Sequence, residues 1–351
     1  MKNVKHKSSL WLPYLSTIAI KGERLVGAYK GGEFDEKLED IASIMIYGSS
    51  CPLSQEVLEM SARWKIPVCF HRRNMTNVVW ISGGTQGSKN DLLTKQILFR
   101  EDARKRSHIA RKLLDAKFRS MQWLMPYPSD LKPGLSVTQM RAIEARHARA
   151  YWDKYYALLG MKGNRRKRED AVRNVLDAVS KFVSGILLRW IIYHRLSPQH
   201  AYLHEPTEYP ALVYDLMEPY RGYIEKIVLN AVRAAISEQI EEKLWVGYAI
   251  AQVEDYLDGI VYVDATRQLV TFQELMHGSV LALRAYFIGE AQRYILPVPG
   301  KPNGGRPKKV GYRLYGRSAG RTDFWEQSHL YHKRQKKQMG EYCSDQTQGK
   351  V

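Results

Sequence analysis

The apolar periodicity of this chain changes once, and that change limits the folds open to it. In the first eighty-odd residues the apolar runs are short, β-branched or aromatic, and separated by turn residues such as KGE and KGG: STIAI, RLVGAY, IASIMIY, IPVCF and NVVWIS. From Asp91 to about Leu296 the spacing is helical instead, in segments near 91–123, 137–159, 170–196, 211–257 and 271–295. Polar GGTQGSKN, residues 83–90, lies between the two regimes. The pattern predicts an α+β protein with a β-rich N-terminal domain over 1–84 and a linker over 85–90. An all-α C-terminal domain over 91–296 and a basic tail over 297–351 follow. One helix, LSQEVLEMSARW, interrupts the strands with Leu53, Val57, Leu58 and Ala62 on one face, and GIVYVDATRQLVT reads as a small β excursion before the last long helix.

Composition narrows the partners. Fifty-four Lys and Arg against thirty-six acids leave a formal charge of +18, which favours a polyanion such as nucleic acid. Arg104, His108, Arg111, Lys112, Lys117 and Arg119 stud the first long helical segment, and NRRKR at 164–168 adds Arg165 and Arg166. These residues could track a phosphate backbone, although a solvated helix face accounts for any one of them equally well. The tail beyond Pro299 is basic and rich in Gly and Pro, the composition of a segment that folds on binding phosphates or merely solubilises.

Cys51, Cys69 and Cys343 form no C-x-x-C pair and are odd in number, so neither a disulfide framework nor a zinc finger is expected; a reducing, cytoplasmic setting fits. The opening MKNVKHKSSLWLPYLSTIAI imitates a signal peptide, but Pro13 interrupts it and no small-residue cleavage site follows, so it reads as a first strand. The most apolar helical stretch, VSKFVSGILLRWIIYHRL, carries Lys181 and Arg189, which argues against a membrane span. There is no Gly-rich phosphate loop, and GRSAG at 316–320 has nucleophile-elbow spacing without a strand before it or a helix after it.

The chemistry-bearing residues are acids in apolar company. In ALVYDLMEPYRGY, Asp215 and Glu218 share a helix face, and ionised acids are costly to bury without a compensating cation. Pro219 disfavours α conformation at Glu218, which predicts a kink and a Glu218 that reaches outward, with an ion pair to Arg221 as the alternative. Glu144 borders an inward stripe of Met140, Ile143, His147, Tyr151, Tyr155 and Leu158, on a helix that opens with a Ser136/Gln139 capping box and stops at Gly160. Joined by His204, these acids would give an oxygen-and-imidazole site suited to Mg2+ or Mn2+, though periodicity cannot bring three separate segments together. A rival pattern, Glu-x-x-His at Glu144/His147, Glu274/His277 and Glu326/His329, is the signature of a di-iron bundle. Thr271 and Glu274 also have capping-box spacing, which would engage Glu274 with backbone amides.

The order of a strand-rich N-terminal part, a linker, a helix bearing Glu144, then LSPQHAYLH and ALVYDLMEPYR resembles the CRISPR-associated adaptation integrase family over roughly residues 15–295. The looser GSSCPLSQEVLEMSARWKIPVCF supports the match in the N-terminal part, while Ala145, Ser197 and Ala201 stand where the family usually has Gly, Asp and Gly. The resemblance implies a DNA integrase and endonuclease of antiviral defence, which inserts spacers into the CRISPR array by attack of a 3′-hydroxyl on a phosphodiester. It further implies Glu144, His204 and Glu218 as catalytic ligands of Mg2+ or Mn2+, Asp215 as the adjacent acid, and Arg149 and Arg221 near phosphates. The expected partners are the spacer precursor duplex, the repeat DNA, a second copy joined through the N-terminal domain, and a small ferredoxin-like protein bridging two dimers. A non-catalytic nucleic-acid-binding protein and a di-iron oxidoreductase are the alternatives.

Overall fold

The structure is a computed structural model that describes residues 8–71, 79–82, 92–161, 170–205, 209–263, 265 and 268–301. The expected linker, Arg165 and Arg166, the GRSAG motif, the Glu326/His329 pair, Cys343 and nearly all of the expected basic tail lie outside these residues. The chain forms two compact units, one spanning 7–259 and the other the segment from Ile260 onward.

The first unit opens with strands β1 (Ser8–Pro13), β2 (Thr17–Lys21), β3 (Arg24–Tyr29), β4 (Gly32–Lys37) and β5 (Ile41–Tyr47). Helix α1 (Gln55–Arg63) and strands β6 (Val68–His71) and β7 (Val79–Ile81) follow. One sheet runs β1-β5-β6-β7, parallel except for β7; the other is the antiparallel meander β2-β3-β4. Every residue of β5 is buried, as a central parallel strand covered on both faces requires.

Three details depart from the periodicity. The opening stretch forms two strands in different sheets, because Tyr14, with φ of 52°, turns the chain between them. GEFDEK forms β4, a polar edge strand that its alternation hides because only Phe34 packs against the core. On α1, Val57 and Ser61 face inward and Ala62 is exposed.

The remaining helices of this unit are α2 (Leu92–Glu101), α3 (Ala103–Ser120), α4 (Val137–Ala157), α5 (Ala171–Tyr193), α6 (Ala211–Met217), α7 (Arg221–Ser237) and α8 (Trp245–Asp258). The run expected over 91–123 breaks at Asp102, whose carboxylate caps α3 by accepting from the amides of Arg104 and Lys105. Helix α4 begins with the Ser136/Gln139 capping box and ends at Ala157, three residues before Gly160, which turns the chain with φ of +69°. Leu158 is exposed rather than on the inward stripe, since the helix has already ended, while Trp152 and Tyr156 join the buried face. The run expected over 211–257 is broken by a 3-10 turn at Glu218–Tyr220 and again near Gln239, whose φ is +56°.

Helix α5 lies against the parallel sheet, with Gly185 close to the Ser43 side chain and buried Arg189 donating to the carbonyl of Ile41. Among the described residues no helix is long and apolar enough to cross a membrane. In the second unit the β excursion is the hairpin of β8 (Ile260–Val263) and β9 (Gln268–Thr271). It leads into α9 (Phe272–Phe287), which is shorter than the stretch expected to 295 because Gly289 adopts φ of +80°.

One contact sets the spacing of the helices that matter below. Gly222, in the first turn of α7, lies so close to the end of α3 that a Cβ would come within 2.5 Å of the Ser120 carbonyl. Its amide donates to Ser120 Oγ at 3.1 Å, and its carbonyl accepts from the Trp123 indole at 3.0 Å. Overpacking of this kind costs about 1–3 kcal/mol. Gly222→Ala should therefore lower the urea midpoint with little change in slope; an unchanged midpoint would show that the two helices can separate freely.

On α8, burial together with Asp258 and Asp255 pushes the carboxyl of Glu254 up to about 7 from 4.5. The folded state thus holds the Glu254 proton more tightly than the unfolded state does. The associated stability is present below pH 4.5 and is lost as the pH rises through about 7. Glu254→Gln should gain in melting temperature relative to the parent across that window and level off above it. A difference independent of pH would remove Glu254 as the source.

Candidate active site

The cluster is assembled from α3, α4, the segment before α6, and the α6–α7 junction. Its anchor is Asp215, which is fully buried on α6. Asp215 Oδ2 accepts the amides of Tyr202 at 2.6 Å and Leu203 at 2.9 Å, and Oδ1 accepts the amide of His204 at 3.1 Å. Oδ1 also meets His204 Nδ1 at 2.7 Å. Four donors on one carboxylate compensate its burial and tie an irregular segment to a helix. With Nδ1 donating, the second ring nitrogen, Nε2, is left as a lone pair. It faces Glu218, with Nε2 and Oε1 4.0 Å apart.

Glu218 sits in the 3-10 turn that Pro219 imposes, and the kink is where the sequence predicts it. The predicted outward reach is overturned. Glu218 keeps αR backbone angles, φ −51° and ψ −42°, and is 2% exposed. The bias of a residue before proline is small beside the pull of two cations. Arg221 meets Glu218 Oε1 at 2.9 Å, and Lys117 meets Oε2 at 2.6 Å. Burial pushes the Glu218 carboxyl up, but Arg221, Lys117 and His204 outweigh it and hold it well below the usual carboxylate range. Lys117 also ion-pairs with Glu144 Oε1 on α4. Burial draws its ammonium down, and Glu218 and Glu144 more than restore it. For His204 likewise, burial is outweighed by the hydrogen bond and charge of Asp215, so its pKa is raised.

Glu144 and Glu218 thus share the Lys117 ammonium, His204 faces the other oxygen of Glu218, and Asp215 lies behind the imidazole. Arg221 belongs to the cluster, whereas Arg149 is exposed on α4 and has no place in it. Arg104 is exposed at the start of α3, and Arg111 and Lys112 are half-buried farther along it. Lys117 departs from the reading of α3 as a phosphate-facing helix: it is buried and bonded to carboxylates. Its position was legible, because it follows Leu113 and Leu114 by four and three residues on the apolar side of the helix.

Arg106 and Gln96 are further residues that periodicity does not single out. Arg106 donates to the carbonyl of Tyr202 at 3.1 Å. Gln96 accepts from the Ser197 amide at 2.8 Å and donates to the carbonyls of Ser197 and His200, both at 2.9 Å. Together they hold the segment that carries His204.

The donors have the right chemistry for a hard or borderline divalent ion: two carboxylates and an imidazole whose free nitrogen faces one of them. Two ligand bonds of ~2.1 Å at a right angle span about 3 Å, so the 4.0 Å between His204 Nε2 and Glu218 Oε1 would have to shorten for both to hold one ion. Among the described residues no group of three or more His, Cys, Asp or Glu is already arranged as a metal cage. The ammonium of Lys117 is the cation on which Glu144 and Glu218 close. The di-iron pattern finds its residues engaged otherwise. His147 Nε2 bonds the carbonyl of Pro126 at 3.1 Å, and Glu274 completes the cap of α9 with Thr271.

Comparison with known proteins bears on the family and the fold. The family described as CRISPR associated protein Cas1 matches residues 14–132 and 129–244. A CRISPR-associated endonuclease Cas1 from Korarchaeum cryptofilum (strain OPF8) is 32% identical over 108 residues. That match covers 27% of this chain and 31% of the relative, so it spans under a third of the relative's length. Among solved structures, a casposase bound to integration product superposes with a TM-score of 0.70 at 18% identity, covering 87% of this chain and 96% of that one. A CAS1 protein from Thermotoga maritima gives 0.64 at 18% identity, covering 84% and 99%. The TtCas1–DNA complex gives 0.59 at 16% identity, covering 87% and 95%. The structural likenesses establish the fold, a β-rich N-terminal region followed by helices, and the family match over most of the chain makes it a member of the CRISPR-associated Cas1 family.

Proposed function

We propose that this protein is a metal-dependent DNA integrase and endonuclease of CRISPR adaptation. It joins the 3′-hydroxyl of an incoming spacer strand to a phosphodiester of the repeat. The reading is supported by a cluster in which Lys117 joins Glu144 to Glu218 while His204 Nε2 faces the other oxygen of Glu218, with Asp215 bonded to the imidazole from behind. The endonuclease described for the Korarchaeum relative and the integration product held by the casposase support it.

Glu144, His204 and Glu218 would hold Mg2+ or Mn2+, which supplies Lewis-acid polarisation of the phosphodiester and stabilisation of the departing 3′ oxygen. The chain's own residues do the rest by position. Asp215 holds the Nδ1 proton of His204, and so aims the Nε2 lone pair into the cluster. Arg221 keeps Glu218 ionised and in place. No protein nucleophile is needed: the hydroxyl oxygen forms the new bond to phosphorus, the old 3′ oxygen leaves, and the proton lost by one oxygen is gained by the other. Water in place of the hydroxyl gives simple cleavage. Arg104, Arg111, Lys112 and Arg149 are assigned to the phosphate backbone, as are Arg165 and Arg166.

Joining two strand ends calls for paired sites. We assign a homodimer through the N-terminal strands, bridged by a small ferredoxin-like partner. The likeness to the Cas6-RT-Cas1–Cas2 complex, with a TM-score of 0.67 at 11% identity over 86% of this chain and 37% of that one, bears on the fold alone.

Purified protein incubated with a short duplex bearing free 3′ ends, a repeat-containing plasmid and Mg2+ or Mn2+ should give strand joining. Glu144→Ala, His204→Ala and Glu218→Ala should each bring joining to background while duplex binding in a gel-shift assay stays near that of the parent. Joining that survives all three, or a parent that binds DNA and never joins it, overturns the reading in favour of a binding protein. Asp215→Asn should reduce joining about 10–100-fold, the usual effect of losing the partner behind a ligating imidazole. A variant as active as the parent would show that the Asp215 bond is structural only.

A further inference from the structure

Resting on the reading above, we propose that Lys117 is a built-in placeholder for the divalent ion. Its ammonium bridges Glu144 and Glu218 in the metal-free protein and gives way when the ion enters. Lys117 is 4% exposed, and its Nζ contacts Glu144 Oε1 and Glu218 Oε2. Two carboxylates brought this close repel each other and would be protonated or pushed apart without a positive charge between them. Lys117 supplies that charge from α3, so the carboxylates stay gathered before any ion binds.

The same placement puts the ammonium in the ion's way. A cation that contacts Glu144 Oε1 and Glu218 Oε2 together must take the position that Nζ holds. The remaining contacts suit an exchange of this kind. Arg221 compensates Glu218 through the other oxygen, Oε1, so Glu218 keeps a partner when the ammonium leaves Oε2. The outer side of the cluster is also its accessible side, where Glu144 and His204 are 19% and 22% exposed. Lysine carries its charge on four flexible carbons and can swing aside, which the fixed fork of an arginine does less readily. Two cations that compete for one position are negatively coupled, so removing one should tighten the other.

The test is Lys117→Met, studied without DNA. Free Mn2+ is followed by its electron paramagnetic resonance signal, and melting temperatures are taken with and without Mn2+. The variant should bind Mn2+ about tenfold more tightly than the parent, within the range usual for coupled sites. It should melt lower than the parent without metal and show a larger rise when Mn2+ is added. Equal or weaker Mn2+ binding by the variant overturns the placeholder role and leaves the proposed function standing. Binding by neither protein overturns both.

Should the variant fail to fold, the parent itself gives the answer through amine-specific labelling read by mass spectrometry. Lys117 should be protected without metal and become labelled in saturating Mn2+. Labelling that Mn2+ does not change overturns the proposal.

Discussion

A buried carboxylate organises this site before any ligand is considered. Asp215 has no exposure to solvent, and it is tolerable there because both of its oxygens are fully engaged by three amides and an imidazole nitrogen. Those amides belong to Tyr202, Leu203 and His204, a segment without a helix or strand to take up its N–H groups. The carboxylate thus replaces a secondary-structure ladder. These bonds tie His204 to α6 through both its amide and its ring.

The charges around Glu218 follow the same rule with a different outcome. Asp215 is satisfied largely by neutral donors, whereas Glu218 depends on Lys117 and Arg221, which are themselves buried or half-buried charges. Ion clusters of this kind are poor sources of net stability, because desolvation cancels most of the attraction. They are sensitive to what else enters, because adding or removing one charge changes the balance for every member. The close seating of Gly222 on Ser120 makes the cluster possible, since it brings the end of α3 and the start of α7 close together.

Much of the fold was legible because burial imposes period on composition. The change from alternation to helical spacing, the capping boxes at Ser136 and Thr271, the stop at Gly160 and the break at Pro219 are local signals, and each has its counterpart in the structure. What misled were positions where local preference met a tertiary demand. Glu218 was expected outside because proline disfavours a helical residue before it; two cations hold it inside and helical. Lys117 read as one of several basic residues on an exposed helix, although Leu113 and Leu114 place it on the apolar side. The edge strand β4 was invisible because its inward positions are polar apart from Phe34.

Residue chemistry alone marked the side chains able to form a cation site: Glu144, His204, Asp215 and Glu218 are acids and an imidazole set in apolar surroundings, and periodicity places Glu144 and Asp215 on helices. That these four meet, that Asp215 spends its oxygens on the segment of His204, and that a lysine completes the cluster came from packing. The physical reason is that periodicity reports which face of one element is buried. The partner across the interface is chosen by the packing of elements far apart in the chain, as when α3 and α7 close on each other through a glycine without a side chain.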